Sequence, residues 1–373
     1  MKWSHRFNLF VAGTTALIIL AVSQQEAFSG KPKPPPPPPP VLYEVQFWSV
    51  PNGNPIIDSI NNRGQVVGWY STASGSQHAF LYDPAFNPTS AIDLNSIVAA
   101  PSGWVVASAV DINDQGVIVG YLETTDGAQA TGFILDITEA TPALHPLPTQ
   151  GSTNSWGRRI NEYGDVTGVY ERADGTWGAY VYNLLTNTVV DLNITSLGTI
   201  SIEINNPTQT HDTQVCLQLH NGSAFGIPLR WTRGHGFEQI PGTNTLVDSI
   251  NDSGTVCGST YSGKPSRQYA FLYPTSLQIL TAVSGGAHCL NSAGDFLNSP
   301  NVYHSTRGLL SIGNLIDTSD PDGARLISVT GGSVGGQVMN DRIPGADFGQ
   351  IAGMTQLSNG SWLPYLLTPK APH

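Results

Sequence analysis

The sequence predicts an all-β fold, a seven-bladed β-propeller of four-stranded antiparallel blades that is closed by the N-terminal strand. One phrase recurs, Ile-Asn-x-x-Gly-x-Val-x-Gly followed by a loop and His-Ala-Phe-Leu-Tyr, and its period of 40 to 52 residues matches one propeller blade. Charged residues make up only 12% of the chain, whereas Gly and Pro contribute 40 and 27 residues, which is typical of short strands joined by turns. No stretch after residue 30 shows sustained helical periodicity.

The asparagine of the phrase marks seven repeats. It occurs at Asn61, Asn113, Asn161, Asn205, Asn251, Asn291 and Asn340. The two glycines that follow it are degraded in repeat four, at residues 213–217, and in repeat six, at residues 294–298. We therefore expect irregular blades at those two places.

Each repeat is predicted to form four strands, A to D, as the first repeat illustrates. Strands A and B cover residues 55–60 and 65–70, and the Asn-x-x-Gly turn between them suits Asn, which binds local N–H groups, and Gly, which adopts positive φ. Gly68 within strand B indicates a close approach of another backbone. Strand C, at residues 78–82, carries His-Ala-Phe-Leu-Tyr, and strand D follows at residues 91–94.

The two ends of the chain predict how the ring closes. Repeat seven has a strand C at residues 364–368, but the sequence ends at His373 without room for a strand D. Residues 43–50 precede the first strand A and alternate in polarity, so they can supply the missing outer strand. The rival architecture, an open β-solenoid, would need capping ends instead.

Two N-terminal segments precede the predicted propeller domain, residues 41–373 with its seven repeats. Residues 1–29 have the basic start, the apolar core of about 14 residues and the small-residue cleavage site of a signal peptide. Residues 30–40 contain seven consecutive prolines and form a stiff polyproline linker. We expect a secreted protein, and membrane attachment only if the signal remains uncleaved.

The charge of the chain excludes some partners. The formal net charge is −11. Such an acidic protein is a poor partner for nucleic acid or for an anionic membrane surface.

The three cysteines, Cys216, Cys257 and Cys289, leave at least one thiol unpaired within the chain. We interpret them as packing residues, with a bridge between Cys257 and Cys289 as an alternative.

The signature resembles that of the HAF-repeat family of probable extracellular proteins. Ile60-Asn61, Gly64, Gly68 and His78-Ala79-Phe80 match it best, and the resemblance covers residues 43–370. It implies a secreted repeat protein. The family brings no established activity, so no catalytic residue can be assigned from it.

A ligand site is expected near the propeller axis, on the face that carries the B–C and D–A loops, because these loops vary while the A–B turns are tight. Trp104, Trp156 and Trp177 lie at or near the loops of this face. Their indole rings suit stacking against a sugar or a peptide. The alternative is that they pack between blades.

Polar side chains at two positions of the innermost strand A form the second candidate group. Asp58, Arg158, Asp248 and His288 precede their repeat asparagine by three residues, and the next position is also polar in most repeats. Either these charges pair across blades, or they line a polar channel that binds a ligand. Asp58, Asp248 and His288 together suit acid–base chemistry.

The sequence predicts a non-enzymatic binding or structural propeller at the cell envelope or in the extracellular space, with a glycan or a protein as ligand. The alternative is a glycan-active enzyme that uses axial carboxylates such as Asp58 and Asp248, and a weaker third hypothesis is a surface-layer component. No common catalytic motif is present. We expect no metal or cofactor, since Asp320-Pro-Asp322-Gly323 lacks the acidic spacing of a calcium loop and is interpreted as a turn.

Overall fold

A computed structural model describes residues 42–209, 212–242, 244–263 and 266–370. The predicted signal peptide and polyproline linker lie outside these residues, so both stay predictions. The described chain forms 27 β-strands in seven antiparallel sheets, and the innermost strands of successive sheets contact one another around a common axis. The predicted seven-bladed β-propeller is thereby confirmed.

Blades 1 to 3 are complete four-stranded meanders whose strands run from A at the axis to D at the rim. Blade 1 contains β2 (Pro55–Ile60), β3 (Val66–Ser71), β4 (Gln77–Tyr82) and β5 (Ile92–Asp93). Blade 2 contains β6 (Trp104–Ile112), β7 (Val117–Thr124), β8 (Ala130–Asp136) and β9 (Leu144–Pro146). Blade 3 contains β10 (Asn154–Ile160), β11 (Asp165–Glu171), β12 (Trp177–Asn183) and β13 (Thr188–Asp191).

Blades 4 and 5 follow the same plan, whereas blade 6 has three strands. Blade 4 contains β14 (Ser201–Ile204), β15 (Gln214–Leu219), β16 (Ile227–Thr232) and β17 (Gly236–Gln239). Blade 5 contains β18 (Thr245–Ile250), β19 (Val256–Ser262), β20 (Arg267–Tyr273) and β21 (Gln278–Ser284). Blade 6 contains β22 (Phe296–Asn298), β23 (Asn301–His304) and β24 (Gly308–Ser311).

The two ends of the chain share blade 7, as the sequence predicts. The chain contributes β25 (Val338–Arg342), β26 (Gly349–Gln356) and β27 (Trp362–Pro369), and β1 (Tyr43–Phe47) pairs antiparallel with β27 as the outermost strand. The pairing continues beyond β1, where Lys370 donates its backbone N–H to Leu42 at 2.9 Å. Closure by the N-terminal strand is confirmed.

Two features differ from the sequence prediction, since blade 4 is complete although its glycines are lost and one helix was not expected. The expected irregularity of blade 6 is confirmed, because its strand A is reduced to a single bridge between His288 and Leu297. An α-helix, α1 (Pro321–Thr330), replaces the predicted turn at Asp320. Asp320 is the N-cap of α1 and accepts a hydrogen bond from the Gly323 N–H, and the helix ends at a left-handed Gly331.

The repeat asparagine connects neighbouring blades. Its side-chain oxygen accepts N–H groups of its own A–B turn, as Asn61 does from Arg63 and Gln65. Its side-chain N–H group donates to the backbone oxygen of the same asparagine in the next blade, for example from Asn61 to Asn113 at 2.9 Å. Six of these interblade bonds are present, and only the bond from Asn291 to Asn340 is missing from the described ring. This nearly complete circuit explains why the repeat requires Asn.

The second glycine of the phrase and the aromatic residue of strand C form a cross-strand pair. Gly68 lies opposite Phe80, and a Cβ atom on Gly68 would be 3.0 Å from the Phe80 ring and 2.0 Å from the backbone oxygen of Ile56. The same pairing joins Gly120 to Phe133. Blade 4 replaces it by Leu217 opposite Leu229, which distributes the apolar volume differently. This exchange explains why blade 4 remains regular.

Candidate functional site

The innermost strands enclose a polar axial cavity that opens at both faces. At the face of the A–B turns the opening has a volume of about 180 Å³, and the central part measures about 190 Å³. At the opposite face, which carries the B–C and D–A loops, a pocket of about 350 Å³ lies between blades 1 to 4. We call this pocket the mouth pocket; it is lined by Asp58, Val110, Arg158, Arg159, Thr199, Ile200, Ser201, Ile202, Glu203 and His220.

The opening at the A–B turns is occupied by a second ring of interblade hydrogen bonds. In six of the seven repeats of the described ring, the residue after the repeat asparagine accepts a backbone N–H from the preceding blade, for example Asp114 from Asn62 at 2.6 Å and Glu162 from Asp114 at 2.8 Å. Burial raises the pKa of Glu162 to about 7, and the nearby acidic groups, Asp114 first, add to the effect. The polar groups at this face therefore bind the protein itself.

β-Bulges place the candidate charges at the axis. In blades 1, 3 and 5 the register of strand A against strand B shifts at Asp58, Arg158 and Asp248, respectively. A bulge allows two consecutive residues to point to the same side of the strand. Asp58 and Ser59 are such a pair, since both line the central cavity. The two polar positions noted in the sequence are therefore consequences of one irregularity.

The charged residues at the next position of strand A interact with each other across blades. Arg159 forms a two-point ion pair with Glu203 of blade 4, with both N–O distances at 2.7 Å. Asp111 of blade 2 accepts hydrogen bonds from the Ser59 hydroxyl at 2.5 Å and from the Ile160 backbone at 2.8 Å. Burial alone would lower the pKa of Arg159, but Glu203 and Asp111 outweigh it and raise the pKa. This group is structural.

Arg158 and Asp58 differ from that group. The Nε atom of Arg158 is buried and has no hydrogen-bond partner, and its guanidinium enters no ion pair among the described residues. Burial and the like charge of Arg159 lower the pKa of Arg158. Burial raises the pKa of Asp58 to about 7, although Arg159 and Arg158 act in the opposite direction. Both side chains line the mouth pocket.

Asp248 and His288 form a hydrogen-bonded pair on the other side of the axis. The Nδ1 atom of His288 lies 2.7 Å from a carboxylate oxygen of Asp248, and the two side chains are 50% and 39% exposed. The hydrogen bond to Asp248 raises the pKa of His288. The structure therefore brings two of the three predicted acid–base residues into contact, and Asp58 shares only the central cavity with Asp248.

The three tryptophans pack within and between blades. Trp156 stacks on Trp177 with ring centroids 4.8 Å apart, and both contact the apolar cluster between blades 3 and 4. Trp104 contacts the cluster between blades 1 and 2. None of the three is an exposed side chain, so the packing alternative describes them better than the stacking platform does.

The sequence prediction did not identify the residues that complete the mouth pocket. Thr199 comes from the D–A connection into blade 4, Ser201 begins strand A of that blade, and His220 follows its strand B. All three are exposed polar side chains. The sequence offers one hint, because all three residues lie in or next to the variable loops of the B–C and D–A face. This position indicates a region of the propeller but does not show which blade contributes the residues.

The cysteines and the other candidate groups give less support for a functional site. The three thiols are free, and Cys216 and Cys257 are buried. Within the described residues, no three His, Cys, Asp or Glu side chains converge in an arrangement that could hold a metal ion. The same part of the chain contains no helix with the length and apolar character needed to cross a membrane.

Comparisons with known proteins show similarity at the level of the fold. No protein-family model and no curated protein matches the chain. The β-propeller domain of the Trilobed protease from Pyrococcus furiosus, described as having an open velcro topology, superposes with a TM-score of 0.52 at 9% identity over 85% of this chain and 97% of that domain. At this identity the likeness shows a shared fold and assigns no function.

Two further solved structures superpose less well. The six-bladed fucose-binding lectin of Aleuria aurantia has a TM-score of 0.37 at 9% identity and covers 89% of this chain and 97% of the lectin. AofleA from Arthrobotrys oligospora has a TM-score of 0.36 at 11% identity and covers 58% of this chain and 69% of its own. Similarity at this level carries no inference about the ligand of this chain.

Proposed function

We propose that the protein is a secreted, non-enzymatic binding propeller that holds its ligand in the mouth pocket. The observation that carries this proposal is the difference between the two faces. At the A–B face polar groups are used in two rings of interblade hydrogen bonds and Arg233 is paired with Asp165, whereas in the mouth pocket Arg158 has a buried Nε atom without a partner and forms no ion pair among the described residues. Buried polar groups without partners are costly in a folded protein, and a bound ligand can satisfy them.

The lining of the mouth pocket favours a ligand rich in hydroxyl groups. Thr199, Ser201 and His220 offer hydrogen-bonding side chains at its rim, and Asp58 offers an acceptor deeper inside. The apolar contribution is limited to Val110, Ile200 and Ile202. A glycan fits this combination better than an apolar small molecule does.

The proposal is tested by depletion of the purified full chain from solution with a panel of insoluble and soluble polysaccharides. Ser201→Trp fills the mouth pocket, and Ala128→Trp places the same side chain on an exposed B–C loop of blade 2 outside it. We expect Ser201→Trp to abolish depletion and Ala128→Trp to preserve it. Equal depletion of both variants and the unsubstituted protein would place the binding elsewhere and contradict the proposal.

The pair formed by Asp248 and His288 favours a second candidate function, a glycan-active enzyme. A half-exposed imidazole held by a carboxylate is suited to proton transfer. The depletion assay therefore also measures newly formed sugar ends. Any cleavage that persists unchanged in both Asp248→Asn and Asp58→Asn would exclude the axial carboxylates as its source.

Secretion and membership of the HAF-repeat family remain parts of the proposal. The repeat phrase supports family membership, because the folded repeats correspond to the blades in number and in position, and the signal-peptide pattern of residues 1–29 supports export. N-terminal sequencing of protein recovered from the culture medium tests export. We expect a start near residue 30, and a chain that stays with the cells at its full length would contradict it.

A further inference from the structure

We infer that the mouth pocket recognises an acidic sugar and that Arg158 binds its carboxylate. This inference rests on the proposed function and adds the chemical class of the ligand. It follows from the charges that remain at the pocket once all internal pairs are assigned, and from the chemistry of the other lining groups.

The pocket contains one arginine that forms no ion pair among the described residues. Arg159 is neutralised by Glu203 in a two-point ion pair, and Asp111 lies close enough to raise the pKa of Arg159 further. Asp58 has its pKa raised to about 7 by burial and therefore carries only part of a negative charge near neutral pH. Arg158 is left as the arginine of the pocket that forms no ion pair among the described residues, and Asp58 acts on it only at longer range, although the chain as a whole has a formal charge of −11.

The position of Arg158 selects a planar anion. The bulge of strand A directs Arg158 to the pocket, and its Nε atom is shielded from solvent without an internal acceptor. A guanidinium presents its donors as a rigid fork that matches a carboxylate at two points. A buried charge without a partner is destabilising, and a ligand that supplies the opposite charge recovers this loss.

The other lining groups favour a sugar over the carboxyl end of a peptide. Ser201, Thr199 and His220 stand at the rim, and Asp58 provides a carboxyl group beside Arg158. The carboxyl group of Asp58 accepts hydrogen bonds from hydroxyl groups, which a sugar acid carries beside its carboxylate and the carboxyl end of a peptide backbone does not. A sugar acid carries both functions within one ring.

The test is a titration of the purified full chain with D-glucuronate, followed by saturation-transfer NMR. D-Glucuronamide keeps the hydroxyl groups and removes the charge, while N-acetyl-alanine keeps a carboxylate without the hydroxyl groups. The variants are Arg158→Gln, Arg158→Lys and the control Arg63→Gln, an exposed arginine of an A–B turn. Unfolding midpoints confirm that each variant is folded.

We expect glucuronate to bind at least tenfold more tightly than either analogue, Arg158→Gln to lose this preference, Arg158→Lys to retain part of it, and Arg63→Gln to be unaffected. Equal binding of glucuronate and glucuronamide, or unchanged glucuronate binding by Arg158→Gln, would overturn the inference. Equal binding of N-acetyl-alanine would point to a peptide carboxylate and would overturn it as well. If neutral polysaccharides bind and Ser201→Trp blocks them while glucuronate fails, the inference falls and the proposed function stands.

Discussion

At the scale of single residues, the repeat asparagine shows how far a sequence pattern can be interpreted. Its role in the A–B turn follows from known turn preferences, and the structure confirms it in the bonds from Arg63 and Gln65 to Asn61. The donation to the next blade could not be predicted, because it depends on the closed ring rather than on any local segment. The same holds for the pair between Asp248 and His288, which come from different blades.

Replacing a repeat asparagine measures the interblade bond directly. Asn113→Ala removes the acceptor for Gln115 and Val117 and also the bond of 3.3 Å to Asn161. We expect a loss of about 2–4 kcal/mol in the free energy of unfolding, because buried backbone groups lose their partners. Chemical denaturation provides the measurement.

Asn291→Ala is the matched control, since Asn291 caps its turn without reaching the next blade. Its cost should be smaller by about 1 kcal/mol, the net value of one hydrogen bond. Equal losses for the two variants would show that the interblade circuit contributes nothing beyond the turns.

Glu162 predicts a pH dependence of stability. Its folded pKa is raised to about 7 by burial and by Asp114, Asp111 and Asp252, above the ordinary value of 4.5. The folded state therefore holds the proton more strongly, and stability falls as the pH rises from about 4.5 to about 7. Glu162→Gln keeps the acceptor for the Asp114 N–H but does not titrate. We expect this variant to be more stable than the unsubstituted protein by about 1–2 kcal/mol at pH 8, after allowance for partial solvent screening, and equally stable at pH 4.5.

The measurement for Glu162 is the free energy of unfolding across this pH range. Glu139→Gln, on the exposed C–D loop of blade 2, removes a carboxylate from the same face and serves as the control. A difference between Glu162→Gln and the unsubstituted protein that does not change with pH would contradict the assignment.

At the scale of strands and helices, the repeat period predicts most elements and the exceptions have physical causes. The predicted strand A of the first repeat has the same limits as β2, because a recurring phrase identifies its own boundaries. Helix α1 was missed although Asp320, Pro321 and Gly331 are ordinary end signals, since ten residues give too few turns for a visible period. Blade 6 has only a single bridge in place of strand A, because its segment matches the repeat phrase only in part.

The close approach at Gly68 predicts a strong effect of one methyl group. A Cβ atom in Gly68→Ala would meet the backbone oxygen of Ile56 at 2.0 Å, so the strand rather than a side chain would have to move. We expect a loss of about 3 kcal/mol or more in the free energy of unfolding. Gly75→Ala is the control, because Gly75 has a φ of +86° but no atom within 4 Å, and its cost should stay near 1 kcal/mol. Similar losses for both would show that backbone strain and not the contact determines the effect.

At the scale of the whole molecule, the offset between the two ends of the chain predicts closure, and the polar innermost strands predict where the candidate site lies. Which polar residues of the innermost strands form ion pairs, and which remain free to line the pocket, could not be predicted. Which charges pair depends on distances between blades. Arg158 and Arg159 are neighbouring arginines in the sequence, but in the folded ring Arg159 is paired with Glu203 and the Nε atom of Arg158 has no partner. The mouth pocket is also lined by Ser201 and His220, which are far apart in the sequence and are brought together only by the folding of blade 4.

Closure itself makes the last prediction. In β1, Tyr43, Val45 and Phe47 are 0%, 6% and 9% exposed and belong to the apolar cluster of blades 6 and 7. Helix α1 supports the same strand, since Arg325 lies 4.8 Å from the centre of the Phe47 ring. Replacing the three buried residues by Ser removes apolar burial worth about 1.5–3 kcal/mol for each side chain. It also leaves β27 as an unpaired edge, which favours pairing with another chain.

We therefore expect this triple variant to unfold at a much lower denaturant concentration and to form dimers or larger assemblies in light scattering. The control variant replaces Glu44 and Gln46, the other face of β1, by Ser, and should lose less than about 1 kcal/mol because Glu44 is exposed and Gln46 is only partly buried. A triple variant that stays monomeric and as stable as the control would mean that blades 1 to 7 hold the ring without the terminal strand. Since all seven blades meet at the axis, such a result would assign the stability of the ring to the asparagine circuit, and Asn113→Ala would then be the more damaging change.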